Sequence, residues 1–151
     1  MALQIKELGH VVLWVRDIEQ SVHFYRDVLG FQPVTDFGGR AVAFSSGRTH
    51  HELLLIDVGQ QAEPVRQTHR AGLYHIGFKV GTTDDELKEA IRTCTENDVE
   101  IVGASDHGVT HSLYIKDPDG NEVELYIDVQ PEAWRNDPAQ VDMTTRPLLL
   151  A

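Results

Sequence analysis

The chain is short of cysteine, of positive charge and of long apolar runs, and each shortage removes a class of explanation. A single cysteine, Cys94, among 151 residues excludes an intramolecular disulfide and a thiolate metal cluster. It falls in a helical pattern, where a buried and inert thiol is expected, and a reducing compartment suits it. Lysine and arginine number 13 against 24 aspartates and glutamates, a formal net charge of −11, with no basic stripe. Nucleic-acid phosphates would be repelled, so no nucleic-acid partner is expected. No segment approaches the ~20 apolar residues of a membrane span, and MALQIKELGH has no basic start leading into an apolar run. The expectation is a cytoplasmic protein without a membrane partner. The length fits one domain burying roughly 70% of the surface its unfolded chain exposes, enough for a core that needs no metal to form.

What the chain does have is one plan written twice. HVVLWVRDIEQSVHFYRDVLGFQPV is answered by HIGFKVGTTDDELKEAIRTCTENDVEIV, each reading as a strand followed by an amphipathic helix. In the first, Asp17 and Gln20 form a D-x-x-Q start, apolar side chains follow at Ile18, Val22, Phe24, Tyr25, Val28 and Leu29, and Gly30 supplies the stop. In the second, Thr83 and Glu86 make the cap, and Leu87, Ala90, Ile91 and Cys94 follow at helical spacing until Asn97. The pattern then changes to period two: FQPV, RAVAFSS and HELLLIDV in the first half, EIVG, HSLYIK and NEVELYI in the second, with the turn DPDGN before the last strand. The predicted class is α+β: a single domain over 1–151 made of two tandem βαβββ modules, about 6–58 and about 73–129. Residues 59–72 form a linker and 130–151 a tail carrying Trp134 and a final LLL. The modules are expected to form a curved mixed sheet around a cleft.

Three side chains able to bind one metal ion sit on strand-like stretches far apart in the chain: His10 in LGHVVLWV, His75 in LYHIGFKV and Glu124 in NEVELYI. Alternation puts Glu122, Glu124 and Tyr126 on one face and Val123, Leu125 and Ile127 on the other, which packs under the helix. His75 opposes Ile76, and Tyr114 opposes Leu113 and Ile115, in the same way. The two histidines open equivalent strands of the two halves, and imidazole with carboxylate suits Fe(II), with Mn(II) as the other candidate. Each histidine taken alone is more often structural, and Glu122 is the nearest decoy for Glu124; repetition is what favours a metal site.

The duplicated plan, the opening GHVVLWVRDIEQSVHFYRDVLGF, the internal YHIGF and the ending DPDGNEVELY resemble the vicinal oxygen chelate superfamily (glyoxalase, bleomycin resistance, extradiol dioxygenase) over residues from about 6 to 130. Within it, GRTHHELLL resembles the GRHH-type stretch of the type I extradiol, catechol-cleaving dioxygenases. HGVTHSLYIKDPDGNEVE resembles their H-G-x-T segment, followed by a pocket tyrosine and the ligand glutamate. The resemblance implies an Fe(II) enzyme opening a small aromatic diol with dioxygen in aromatic catabolism. His51 is then the acid-base histidine, His107 the substrate-contacting one and Tyr114 the orienting tyrosine. The loop from His107 to Tyr114 is shorter than in the longer, two-domain enzymes. His111 competes with His107 for its role, while His50, His23 and His69 have plain surface readings.

Three alternatives stand beside this one. A glyoxalase-like isomerase resembles a four-ligand pattern, and the fourth position aligns with Leu53, which cannot bind an ion. A fosfomycin-type thiol transferase shares the triad of two histidines and a glutamate. A metal-free binding protein of the bleomycin-resistance kind has no need of three filled ligand positions. Pocket walls are sought at Phe44, Leu53, Trp14 and residues 103–111, and small members of this superfamily resemble homodimers.

Overall fold

The structure is a computed structural model that describes residues 2–66, 69, 71–141 and 144–150. The chain divides into two compact units, Met1–Val65 and Arg66–Ala151. The first contains β1 (Val11–Val15), α1 (Ile18–Val22) continuing as a π-helical segment (His23–Val28), β2 (Gln32–Asp36), β3 (Ala41–Ser45) and β4 (Leu53–Asp57). Its mixed sheet has the order β1-β4-β3-β2, and β1 lies parallel to β4 with Val11 opposite Leu53. The second contains β5 (His75–Gly81), α2 (Asp84–Glu96), β6 (Ile101–Asp106), β7 (Thr110–Lys116) and β8 (Glu122–Asp128). After these come α3 (Pro131–Asn136), a 3-10 turn (Pro138–Gln140) and β9 (Arg146–Pro147). Its sheet runs β5-β8-β7-β6-β9, with β5 parallel to β8 and His75 opposite Glu122. The α+β class and the repeated βαβββ plan are as the sequence predicts, each repeat carrying its own mixed sheet.

Each helix starts where its capping residues stand. The Asp17 carboxylate accepts from the Gln20 N–H at 3.1 Å. Thr83 and Glu86 exchange the two bonds of a capping box, Glu86 Oε2 also accepting from the Thr82 N–H. At the far end of α2, Asn97 caps and Asp98 turns left-handed at φ 55°. There the Asp98 N–H reaches the Thr95 carbonyl and the Val99 N–H the Cys94 carbonyl, a Schellman ending. The first helix departs from a plain amphipathic α-helix, because Phe24 and Tyr25 are adjacent and both buried. The wider π winding, with Leu29 N–H bonded to the Phe24 carbonyl, lets two neighbouring aromatics face inward where α spacing would part them.

The alternation read from the sequence decides the two sides of each sheet. In the first unit Leu13, Val15, Leu53 and Leu55 are buried with Phe24, Tyr25 and Phe44, while Trp14, on the opposite side of β1, is 74% exposed. In the second, Leu113, Ile115, Val123, Leu125 and Ile127 join Leu87 and Cys94 of α2, which packs on β5, β7 and β8. Phe44 and Leu53 are therefore core residues and not pocket walls. Among the described residues no helix is long and apolar enough to cross a membrane.

Candidate metal centre

The face of the second sheet turned away from α2 gathers the polar side chains that periodicity had assigned to it. His75 opens β5, and the parallel register sets it opposite Glu122, with Glu124 opposite Gly77. The His75 ring then lies between two carboxylates. Its Nε2 is 3.2 Å from Glu124 Oε2 and its Nδ1 is 3.5 Å from Glu122 Oε1. Nδ1 is buried and makes no hydrogen bond, so the 3.5 Å approach is an electrostatic contact only. Lys116 Nζ, 3.4 Å from the other oxygen of Glu122, balances that second carboxylate.

Tyr114 reaches the same place from β7, where it stands in register with Glu124. Its hydroxyl donates to Glu124 Oε1 at 3.4 Å, and His107 Nε2, 2.8 Å from the phenol oxygen, is placed to donate to it. Burial first, and the Glu124 carboxylate second, push the Tyr114 phenol up to about 12. The tyrosine is thus a neutral O–H donor at any physiological pH. His107 stands just after β6 in the tight turn that joins it to β7, its N–H bonded to the Thr110 carbonyl. His111 points elsewhere: its Nδ1 is 2.6 Å from Asp84 at the start of α2. Of the two competing histidines, His107 is the one that adjoins Tyr114.

In the first unit the histidines form a group of their own. His10 stands one residue before β1, and His50 and His51 lie in the loop between β3 and β4. The His10 and His51 rings are 4.5 Å apart between centroids, and His50 Nδ1 meets His51 Nδ1. Two side chains fix this loop. Glu52 accepts from the Ser46 N–H and hydroxyl, while the Arg48 guanidinium binds Glu7 and the carbonyls of Leu8 and Gly9, just ahead of His10. Desolvation, then the neighbouring His50 and His10, hold the His51 imidazole below the ordinary histidine value, which keeps it neutral and able to accept a proton.

Within neither unit do three His, Cys, Asp or Glu side chains gather, among the described residues, into a set able to hold a metal ion. What the second unit offers is a matched pair. Two ligands at right angles around an ion with bonds of ~2.1 Å stand about 3 Å apart, which is the separation of His75 Nε2 from Glu124 Oε2. A carboxylate at the other ring nitrogen is the usual support of a ligating imidazole, leaving Nε2 free for the ion. His75 and Glu124 thus fit a divalent metal as two of its ligands.

Comparing the two registers corrects one alignment. Val11 pairs with Leu53 as Ile76 pairs with Val123, so the first-unit counterpart of Glu124 is Leu54, not Leu53. The fourth-ligand position is a leucine either way. The signal for Glu122 as the second carboxylate at His75 was present in the sequence, two residues before Glu124 on the same face, but alternation alone could not tell ligand from support.

A catechol-2,3-dioxygenase of Bacillus subtilis (strain 168) is 32% identical over 130 residues, covering 86% of this chain and 44% of that protein. A biphenyl-2,3-diol 1,2-dioxygenase of Rhodococcus globerulus is 34% identical over 122 residues, covering 80% and 63%. The chain thus spans less than two thirds of the length of these relatives, 44% of one and 63% of the other. Staphylococcal metallothiol transferases also match, at 26% identity over 124 residues. The crystal structure of a glyoxalase/dioxygenase from Nostoc punctiforme superposes with a TM-score of 0.69 at 22% identity, covering 82% of this chain and 91% of that one, a likeness of fold. The sequence profile that matches residues 7–125 is that of the Glyoxalase/Bleomycin resistance protein/Dioxygenase superfamily, and to that family this chain belongs.

Proposed function

We propose that this protein is an extradiol dioxygenase that opens the ring of a catechol-type substrate with dioxygen. The observation that carries the proposal is the cluster on the second sheet, where the ligand pair His75 and Glu124 adjoins a neutral phenol, Tyr114, backed by His107. His10 is the proposed third ligand, because it precedes Val11 in the first register as His75 precedes Ile76 in the second. Fe(II), with Mn(II) as the alternative, supplies when bound the adjacent open positions that a chelating diol and dioxygen both require. Tyr114 donates its O–H to one oxygen of the diol, and His107 holds the phenol in that orientation. His51 accepts the proton of the second hydroxyl at Nε2, in the tautomer whose Nδ1–H donates to His50 Nδ1, and returns it as the ring opens. Both atoms of dioxygen enter the opened product, so no external reductant is consumed. The same reading includes one domain formed by the two units and a cytoplasmic homodimer acting in aromatic catabolism.

A cheap experiment separates this from the isomerase, thiol-transferase and binding-protein readings. The protein is reconstituted anaerobically with Fe(II), mixed with a panel of catechols, and followed for dioxygen uptake and a yellow ring-cleavage product. Uptake stoichiometric with product is the expected result. Metal binding without uptake across the panel overturns the dioxygenase reading and leaves the thiol-transferase or isomerase chemistry of the same family.

A further inference from the structure

The turn that carries His107 is held by an unusual neighbour, the C-terminal tail. Tyr114 sits on β7, a strand paired on both sides, and has little freedom. His107, on the turn from 106 to 110, is the partner whose position has to be set. Beside the turn lies an open pocket of about 470 Å³ whose lining includes Asp106, Gly108, Val109, His111, Val129 and Arg146, with His111 Nε2 3.9 Å from Asp106 Oδ1. Close packing therefore does not fix the turn from that side. Hydrogen bonds do: the Asp106 carboxylate accepts from the Gly108 N–H at 2.6 Å, where Gly108 turns left-handed at φ 79°, and the Val109 carbonyl accepts from the Val129 N–H at 3.0 Å. Asp106 is in turn the residue that β9 engages, pairing with Arg146 while Ser105 pairs with Pro147. After β8, α3 contributes Ala133 to the lining of that pocket, and β9 lies as an edge strand beside β6 at the foot of the His107 turn.

We propose that Asp106, clamped by β9, is a positioning residue for His107, and that the C-terminal strand takes part in the reaction through it. This rests on the dioxygenase reading for its catalytic consequence, while its structural half stands apart. His107 touches the Tyr114 phenol, and a displacement of the turn by an ångström moves Nε2 out of hydrogen-bond reach, an error of the size that costs roughly 10²-fold in well-aligned sites. Asp106 engages the Gly108 N–H and β9 pairs with β6, so both act on the turn and not through the proposed ligands His75 and Glu124. Their loss should therefore lower the rate with the diol bound and leave metal affinity and diol affinity in place.

The test uses the full chain loaded with Fe(II), with catechol as the probe. Asp106→Ala should lower kcat about 10-fold or more, with KM and iron content within about two-fold of the parent. It should also shift the His107 ring-nitrogen resonance toward that of a free imidazole and speed hydrogen exchange at the His107 amide. Asp106→Asn, whose amide oxygen still accepts from Gly108, should restore most of the rate. Arg146→Pro, which removes a backbone N–H from β9, should act in the same direction as Asp106→Ala and provides a second variant should that one fail to fold. In a His107→Ala background Asp106→Ala should add nothing. An Asp106→Ala or Arg146→Pro protein with unchanged kcat and an unchanged His107 resonance overturns the proposal, as does an equal loss in the His107→Ala background. A parent that takes up no dioxygen refutes the dioxygenase reading instead, and the resonance and exchange measurements still decide whether β9 positions the turn.

Discussion

Glu122 and Glu124, two residues apart on one face of β8, reach opposite nitrogens of the same imidazole, and their expected roles divide accordingly. Replacing Glu124 with alanine removes a proposed ligand and should abolish tight Fe(II) binding, as should His75→Ala. Replacing Glu122 with glutamine removes only the charge behind Nδ1, and support of this kind is worth about 10- to 100-fold in metal affinity. Titration of the three variants with Fe(II) under nitrogen checks the order, and equal losses in all three would place Glu122 in the ligand set. His51→Ala should behave oppositely, keeping its metal while losing about 10²- to 10⁴-fold in turnover, the usual worth of a positioned base. The ratio of iron content to catechol turnover measures this, and a His51→Ala protein with parental turnover would remove the residue from its role. Side-chain direction was legible beforehand because it follows from alternation; the pairing of His107 with Tyr114 was not, because it depends on where a turn ends rather than on periodicity.

The elements show where propensity suffices and where packing overrides it. In α2 both ends are written locally. Thr83 and Glu86 build the capping box, and the bonds from the Thr82 N–H and the Thr83 hydroxyl hold the Glu86 carboxyl below its ordinary value of 4.5. A carboxyl with a depressed folded value contributes stability above its unfolded value, and that contribution is lost as the pH falls through the folded value. Glu86→Gln should therefore flatten the acid limb of the stability curve below about pH 4.5, checked by urea unfolding across that range; an acid limb identical to the parent's would count against the box. At the other end Asp98 holds φ 55° with a side chain that disfavours it. Asp98→Gly should stabilise the fold by about 0.5–1 kcal/mol, read as a higher denaturation midpoint at unchanged m-value. By contrast, the π winding at His23–Val28 and the strand β9 could not be read ahead. The first answers the joint burial of Phe24 and Tyr25, a tertiary demand. The second is two residues, Arg146 and Pro147, whose strand geometry comes from β6 and not from any propensity of their own.

For the molecule as a whole, the duplicated plan is what made the fold legible, since an equivalence between His10 and His75 can be seen only after the two openings are matched. The net charge of −11 adds a consequence. Clustered carboxylates are tolerable where a cation offsets them, so a divalent ion bound at the proposed ligands His10, His75 and Glu124 should stabilise the folded chain and leave the unfolded one untouched. At a free-ion concentration of 100 times the dissociation constant this linkage is worth about 2.7 kcal/mol, or roughly 5–10 °C in Tm for a chain of this size. Fe(II) under nitrogen and Mn(II) in air should both raise the melting temperature of chelator-treated protein, and the rise should vanish in His75→Ala. The decisive variant is His10→Ala, whose mutated side chain belongs to the first unit while the other two proposed ligands, His75 and Glu124, lie in the second. If it melts like the parent without metal yet gains nothing when metal is added, the first unit supplies a ligand. If it gains as much as the parent, His10 is a structural histidine, and the third ligand has to be sought among the side chains of the second unit or in water.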